Sequence, residues 1–220
     1  MGSMTDDELE HLIRSSGAIL GDGEVLIIGS QSILPWLRKY AGHPPRQWAD
    51  VFTMSSEVDI IPIDNDERKS DLIDGTIGES SYFHQTFGVY AQGVSLETVR
   101  APVGWQSRCY PLLNANTGGV IGRCMHPMDL FIAKTIANRP KDGPFLDAMI
   151  EYSLVKLEAL LHNMAKVPDL SENEIETWQT LIVSRFKRSE NRRAIPQSRV
   201  SPVPEWNIPD NRNTGPTIRF

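Results

Sequence analysis

The 220-residue chain has only two cysteines, Cys109 and Cys124. That is too few for a disulfide framework or a cysteine metal cluster, so both are expected to be reduced, buried thiols in a cytoplasmic protein. No apolar run approaches the ~18 residues that would read as a membrane span, and no membrane association is expected. The first residues lack the basic and apolar regions of a secretory leader. Positive charge is also scarce: 22 Lys and Arg face 28 Asp and Glu, a net charge of −6. Such a balance argues against a surface coated in phosphate contacts. There is no internal repeat, no low-complexity block and no G-x-G-x-x-G dinucleotide fingerprint.

What is present reads as an α+β protein: a small mixed sheet flanked by helices, followed by a helical part. Thr5–Ser16 has the spacing of an amphipathic helix, with Leu9, Leu12 and Ile13 on one face and Asp6, Asp7 and Glu8 in the first turn, where the helix dipole favours them. Residues 24–30, "EVLIIGS", read as a buried strand ending in glycine. A helix with Pro35 near its start follows, then a loop over 41–48. "EVDIIPI" (57–63) is a second strand, 64–78 has helical spacing, and "GVSLETVRAP" (93–102) reads as a third strand. Residues 108–126 look like two strands joined by a turn around Asn116–Gly119. Pro127 then opens a helix, a longer one spans 143–165, and Ser171 with Glu174 forms a capping box for a third. The layout is a core over 1–125, a helical region over 126–194 and a Pro- and Asn-rich tail over 195–220, expected to be extended unless Trp206 or Phe220 docks it.

Glu57 and Asp59 are two apart on a strand, so they project to the same side with Cα atoms roughly 6.6 Å apart. Such carboxylates repel, and burial raises both their pKa values. A hard divalent cation removes that cost, and Mg²⁺ is commonly held by one or two carboxylates plus substrate phosphates. The bland alternative is a half-exposed strand with two solvated acids. Two neighbours favour the metal reading. Gly29–Ser30 joins a strand to a helix, where the backbone can approach phosphate and the helix start presents free N–H groups; Ser30 can add a hydroxyl or simply cap the helix. Lys134, in "HPMDLFIAKTIANRPKD", can neutralise a triphosphate, and Asp142 follows at the end of that segment.

These three motifs, in this order over residues 24–151, resemble the minimal nucleotidyltransferases of the polymerase-beta-like superfamily. The resemblance is closest to the AbiEii-type branch of toxin–antitoxin and phage-defence systems. It implies a Mg²⁺-dependent transfer of a nucleoside monophosphate from an NTP to an acceptor. By the same resemblance Gly29, Ser30 and Lys134 bind nucleotide, Glu57 and Asp59 bind metal, and Lys134 and Asp142 complete the catalytic set. The family often has a third strand carboxylate, for which Glu97 is the candidate. Glu57 stands where aspartate is commoner. The acceptor could be an RNA end, a protein hydroxyl or a small molecule, and a cognate antitoxin or other partner protein is implied. The alternative is a catalytically degenerate relative acting as antitoxin, nucleotide sensor or scaffold. A third reading, a structural interaction protein built on the C-terminal helices, predicts indifference to the loss of Glu57 or Asp59.

Other residues carry less. Arg185, Lys187, Arg188, Arg192, Arg193 and Arg199 form a basic stripe that could hold a polyanion such as RNA or could be a solvated helix face. His84, His126 and His162 lack ligand spacing and read as structural. Trp36 and Trp105 read as packing residues that could also stack on a base.

Overall fold

A computed structural model describes residues 4–41 and 46–194, with the side chains of residues 40, 41, 46–49, 193 and 194 excepted. The tail over 195–220, including Arg199, lies outside the described residues, as does part of the expected loop at 41–48. Five strands, β1 (Glu24–Ile28), β2 (Glu57–Pro62), β3 (Tyr90–Gly93), β4 (Tyr110–Leu112) and β5 (Ile121–Cys124), form one mixed sheet in the order β3-β2-β1-β5-β4. β1 is antiparallel to β2 and parallel to β5; β2 and β3 are parallel, and β4 and β5 antiparallel. The fold is the expected α+β arrangement with a C-terminal helical part.

Helix α1 (Asp6–Leu20) starts at a Thr5–Glu8 capping box and stops at Gly21. It packs on the sheet through Leu9, Leu12 and Ile13, all fully buried. Ile13 lies where a side chain on Gly122 of β5 would stand, so this glycine lets the helix approach the sheet closely. Helix α4 (Glu67–Ile77) covers the same face: its Ser70 backbone meets Gly93 of β3. Strand pairing puts Val58 and Ile60 on this covered face, and both are fully buried. The alternate residues of β2, Glu57 and Asp59, project from the opposite face.

Three expectations for the first 125 residues need correction. After Ile28 the chain does not form a regular helix: a 3-10 turn (Ser30–Ile33), one α-turn (α2, Leu34–Trp36) and a π-helical turn (Leu37–Ala41) follow in succession. The expected loop before β2 contains helix α3 (Arg46–Thr53). The strand expected over 93–102 ends at Gly93 and gives way to a 3-10 turn at Leu96–Thr98, between which and β2 lies α5 (Tyr82–Phe87).

In the helical part, α6 (Pro127–Ala137) has Pro127 in its first turn and is capped by His126, whose Nδ1 accepts from the Met128 N–H at 3.1 Å. Burial and the Arg108 charge lower the His126 pKa to about 4, which keeps that nitrogen free to accept. The long helix expected over 143–165 is broken in two, α7 (Asp142–Glu151) and α8 (Leu157–Met164), with Ser153 left-handed at φ 56° between them. Helix α9 (Glu172–Ala194) begins with the expected Ser171–Glu174 capping box.

Asp129 of α6 is 0% exposed and accepts two hydrogen bonds from Arg108, at 2.9 and 2.7 Å. Arg108 also donates to the carbonyls of Pro102 and Val103, fastening that loop to the helix. Asp129→Ala leaves the guanidinium without its partner and is expected to cost about 3 kcal/mol, read as a lowered urea midpoint with an unchanged slope. Both cysteines are buried and free, and burial raises both thiol pKa values, Cys109 to about 12. Among the described residues no helix is long and apolar enough to cross a membrane.

Candidate functional site

The antiparallel register of β1 and β2 sets Ile28 opposite Asp59, so the next residue, Gly29, sits beside the Asp59 side chain. Gly29 has φ 67° and ψ −166°, a conformation essentially confined to glycine. A Cβ placed on it would stand 1.9 Å from Asp59 Oδ2. The glycine thus serves twice: it makes the turn, and its missing side chain leaves the place that the carboxylate fills. The turn is held from both sides. Ser32 donates from Oγ to the Gly29 carbonyl at 2.8 Å, and buried Gln31 donates from Nε2 to the Ser55 carbonyl at 3.0 Å, just ahead of β2. Ser32, not Ser30, is therefore the internal brace. The half-buried Ser30 hydroxyl has no hydrogen-bond partner among the described residues.

Glu57 and Asp59 share a face and are both half-buried. Neither forms an ion pair among the described residues. Other acids in this molecule are treated differently. Glu10, 1% exposed, accepts from Arg38, Asn114 and Asn116; Asp129 has Arg108; Asp142 has Lys134. The pair on β2 has no such dedicated cation. Burial first, and then the neighbouring Glu57 charge, push the Asp59 pKa up to about 6, while the charges of Lys134, Arg139 and Lys141 pull it down. The Tyr90 phenol, on β3 in register with Glu57, lies beside that carboxylate and has its own pKa raised, chiefly by burial and then by Glu57.

Lys134 is on α6 and Asp142 opens α7. Asn138, left-handed at φ 46° and ψ 39°, ends α6 and donates its N–H to the Lys134 carbonyl. The turn that follows brings Lys134 Nζ to 2.6 Å from Asp142 Oδ1 and 4.8 Å from the Phe145 ring centroid. This contact lets Asp142 orient Lys134. Arg139 and Lys141, on the turn itself, are exposed.

Glu97 is not brought to the site. It is exposed on the 3-10 turn after β3 and accepts from Asn65 at 3.0 Å. Asn65 lies three residues beyond Pro62, the last residue of β2, and β2 and β3 run parallel, so Glu97 stands at the sheet end opposite Glu57. The residue in register with Asp59 on β3 is Gln92, an exposed amide. Among the described residues no group of three or more His, Cys, Asp or Glu side chains is placed to hold a metal ion. Gln92 and Tyr90 were missed because only the parallel register identifies them as neighbours of the acidic pair.

The basic stripe is partly committed elsewhere. Arg185 and Arg192 bind the two oxygens of Asp147 at 2.8 and 2.9 Å, and Arg192 is 3.4 Å from Glu151, so they dock α9 on α7. Lys187 and Arg188 are exposed; the Arg193 side chain and Arg199 lie outside the described residues. Trp36 and Trp105 are buried, Trp36 against His126 and Tyr110. His84 accepts from the Ser80 N–H and stacks near Tyr90. The chain matches no protein-family model, no curated protein and no solved structure.

Proposed function

We propose that this protein is a Mg²⁺-dependent nucleotidyltransferase whose site is the β2 acidic pair facing the Gly29–Ser30 turn. The observation that carries this reading is the state of Asp59: half-buried, beside a like charge, against a glycine, and without the cationic partner that the molecule gives its other buried acids. The donor set suits a hard cation, being two carboxylates with no thiol or imidazole among them. Glu57 and Asp59 would hold Mg²⁺, which when bound would neutralise triphosphate charge and lower the pKa of an acceptor hydroxyl. The acceptor oxygen forms a bond to the α-phosphorus, the α–β bridging bond breaks, pyrophosphate leaves, and the acceptor proton passes to solvent. The chain's own contribution is positional. Gly29 brings its backbone next to Asp59, Gln31 ties that turn to β2, Ser30 offers a free hydroxyl to phosphate oxygens, and Asp142 fixes Lys134.

Melting the protein with Mg²⁺ and each NTP tests this. Ligand at 100 times Kd stabilises a fold by about 2.7 kcal/mol, so the cognate NTP is expected to raise Tm by roughly 5–10 °C only when Mg²⁺ is present. A protein indifferent to every Mg²⁺–NTP mixture would not be a nucleotidyltransferase. The position of Glu97, and the amide of Gln92 beside Asp59, favour a second reading: a degenerate relative that binds nucleotide without turnover, as an antitoxin, sensor or scaffold. Incubation with α-labelled NTPs, total RNA and total protein separates the two, because only an enzyme moves label onto an acceptor.

A further inference from the structure

Lys134 is the expected phosphate-binding cation, yet its ammonium is already taken. It is 12% exposed, 2.6 Å from an Asp142 oxygen, and above the Phe145 ring. Asp142 is itself 6% exposed, so turning Lys134 towards a ligand would leave a buried carboxylate unpaired, a costly arrangement. The two cations next to it are in the opposite state. Arg139 and Lys141 are exposed, and their side chains have no hydrogen bond or ion pair among the described residues.

They are also held on a fixed support. The left-handed Asn138 ends α6, the Asp142 N–H donates to the Arg139 carbonyl at 3.0 Å, and the Gly143 N–H donates to the Pro140 carbonyl at 3.4 Å. Pro140 fixes one φ between the two cations. The Lys134–Asp142 pair closes this turn from inside, one partner on each helix. Phe145, under the Lys134 ammonium, packs edge-on against Phe52 of α3 with ring centroids 5.2 Å apart, which ties the turn to the segment that leads into Glu57 and Asp59. The charges of Arg139 and Lys141 act on Asp59 along with that of Lys134. An acidic pair without cations and a turn carrying two cations without acids thus lie within each other's field, not in contact. A ligand that is anionic and carries a divalent cation satisfies both.

We propose that Arg139 and Lys141 bind the polyphosphate of the nucleotide, and that Lys134, locked to Asp142, is a positioning residue that holds their turn. This rests on the nucleotidyltransferase reading. The guanidinium of Arg139 can grip two phosphate oxygens at once, and Lys141 adds a mobile point charge.

Titration with a fluorescent ATP analogue and Mg²⁺ tests the assignment, with inorganic tripolyphosphate as competitor and a melt of each variant without ligand. Arg139→Ala/Lys141→Ala is expected to weaken analogue binding at least tenfold and to leave the ligand-free Tm unchanged. Arg139→Lys is expected to lose less than Arg139→Ala. Lys134→Met is expected to lower the ligand-free Tm, and its remaining binding is expected still to depend on Arg139 and Lys141. Wild-type affinity in the double alanine variant would overturn the assignment and leave the nucleotidyltransferase reading standing. A wild type that binds neither the analogue nor tripolyphosphate would overturn both.

Discussion

Asp59→Asn is expected to abolish nucleotide transfer and, without metal, to make the protein more stable than wild type above pH 6. The loss of transfer follows from the removal of a metal-binding oxygen charge. The gain in stability follows from the sign of the pKa displacement. Asp59 holds its proton more tightly folded, at about 6, than its ordinary value of 3.8. The folded state is therefore favoured by protonation of this group. That contribution is fully present below pH 3.8 and is lost as pH rises through about 6. A displacement of this size corresponds to a few kcal/mol, about 3 as an upper figure. Asparagine keeps the shape and carries no charge to bury. Urea unfolding of both proteins in EDTA at several pH values isolates the effect, because the other titrations cancel in the difference. The advantage of the variant is expected to grow from pH 4 to pH 7 and then level off. Saturating Mg²⁺ and NTP should reverse the order, since only wild type binds them.

Gly29→Ala is expected to be the most damaging single-methyl change in the site. Two costs fall on one atom. The backbone at φ 67° and ψ −166° is strained for any side chain, by roughly 1–3 kcal/mol. The added Cβ would also stand 1.9 Å from Asp59 Oδ2, so the carboxylate must move. The combined loss is expected to reach about 3 kcal/mol or more, with loss of Mg²⁺–NTP binding. Combining Gly29→Ala with Asp59→Ala separates the costs. The double variant is expected to recover the part of the stability lost to the clash and none of the binding. If Gly29→Ala alone kept full stability and binding, the close approach of turn and carboxylate would have no functional weight.

Much of this was legible in the sequence, and the illegible parts share a cause. The apolar runs before Gly29 and after Glu57 located β1 and β2, because strands buried on one or both faces need such residues. Spacing and capping chemistry located α1, α6 and α9. Long-range register was not legible. Glu97 read as a strand acid because Val94 and Leu96 alternate with polar residues, yet the chain leaves the sheet after Gly93. The break between α7 and α8 occurs at "YSLVK", which contains neither glycine nor proline, so nothing local announces the left-handed Ser153. The acidic pair was legible as a motif. That it lacks a cationic partner, while Lys134 has one, depends on how the Asn138 turn folds two helices together, and no spacing rule states that.

The most direct measurement is a crystal structure grown with Mn²⁺ and a non-hydrolysable NTP, read by the anomalous signal of manganese. The expected result is a peak held by Glu57 and Asp59 next to Gly29, with the triphosphate between it and the Arg139–Lys141 turn. Manganese and nucleotide bound elsewhere, with Asp59 protonated and unliganded, would contradict the proposal that this acidic pair exists to hold a metal–triphosphate complex.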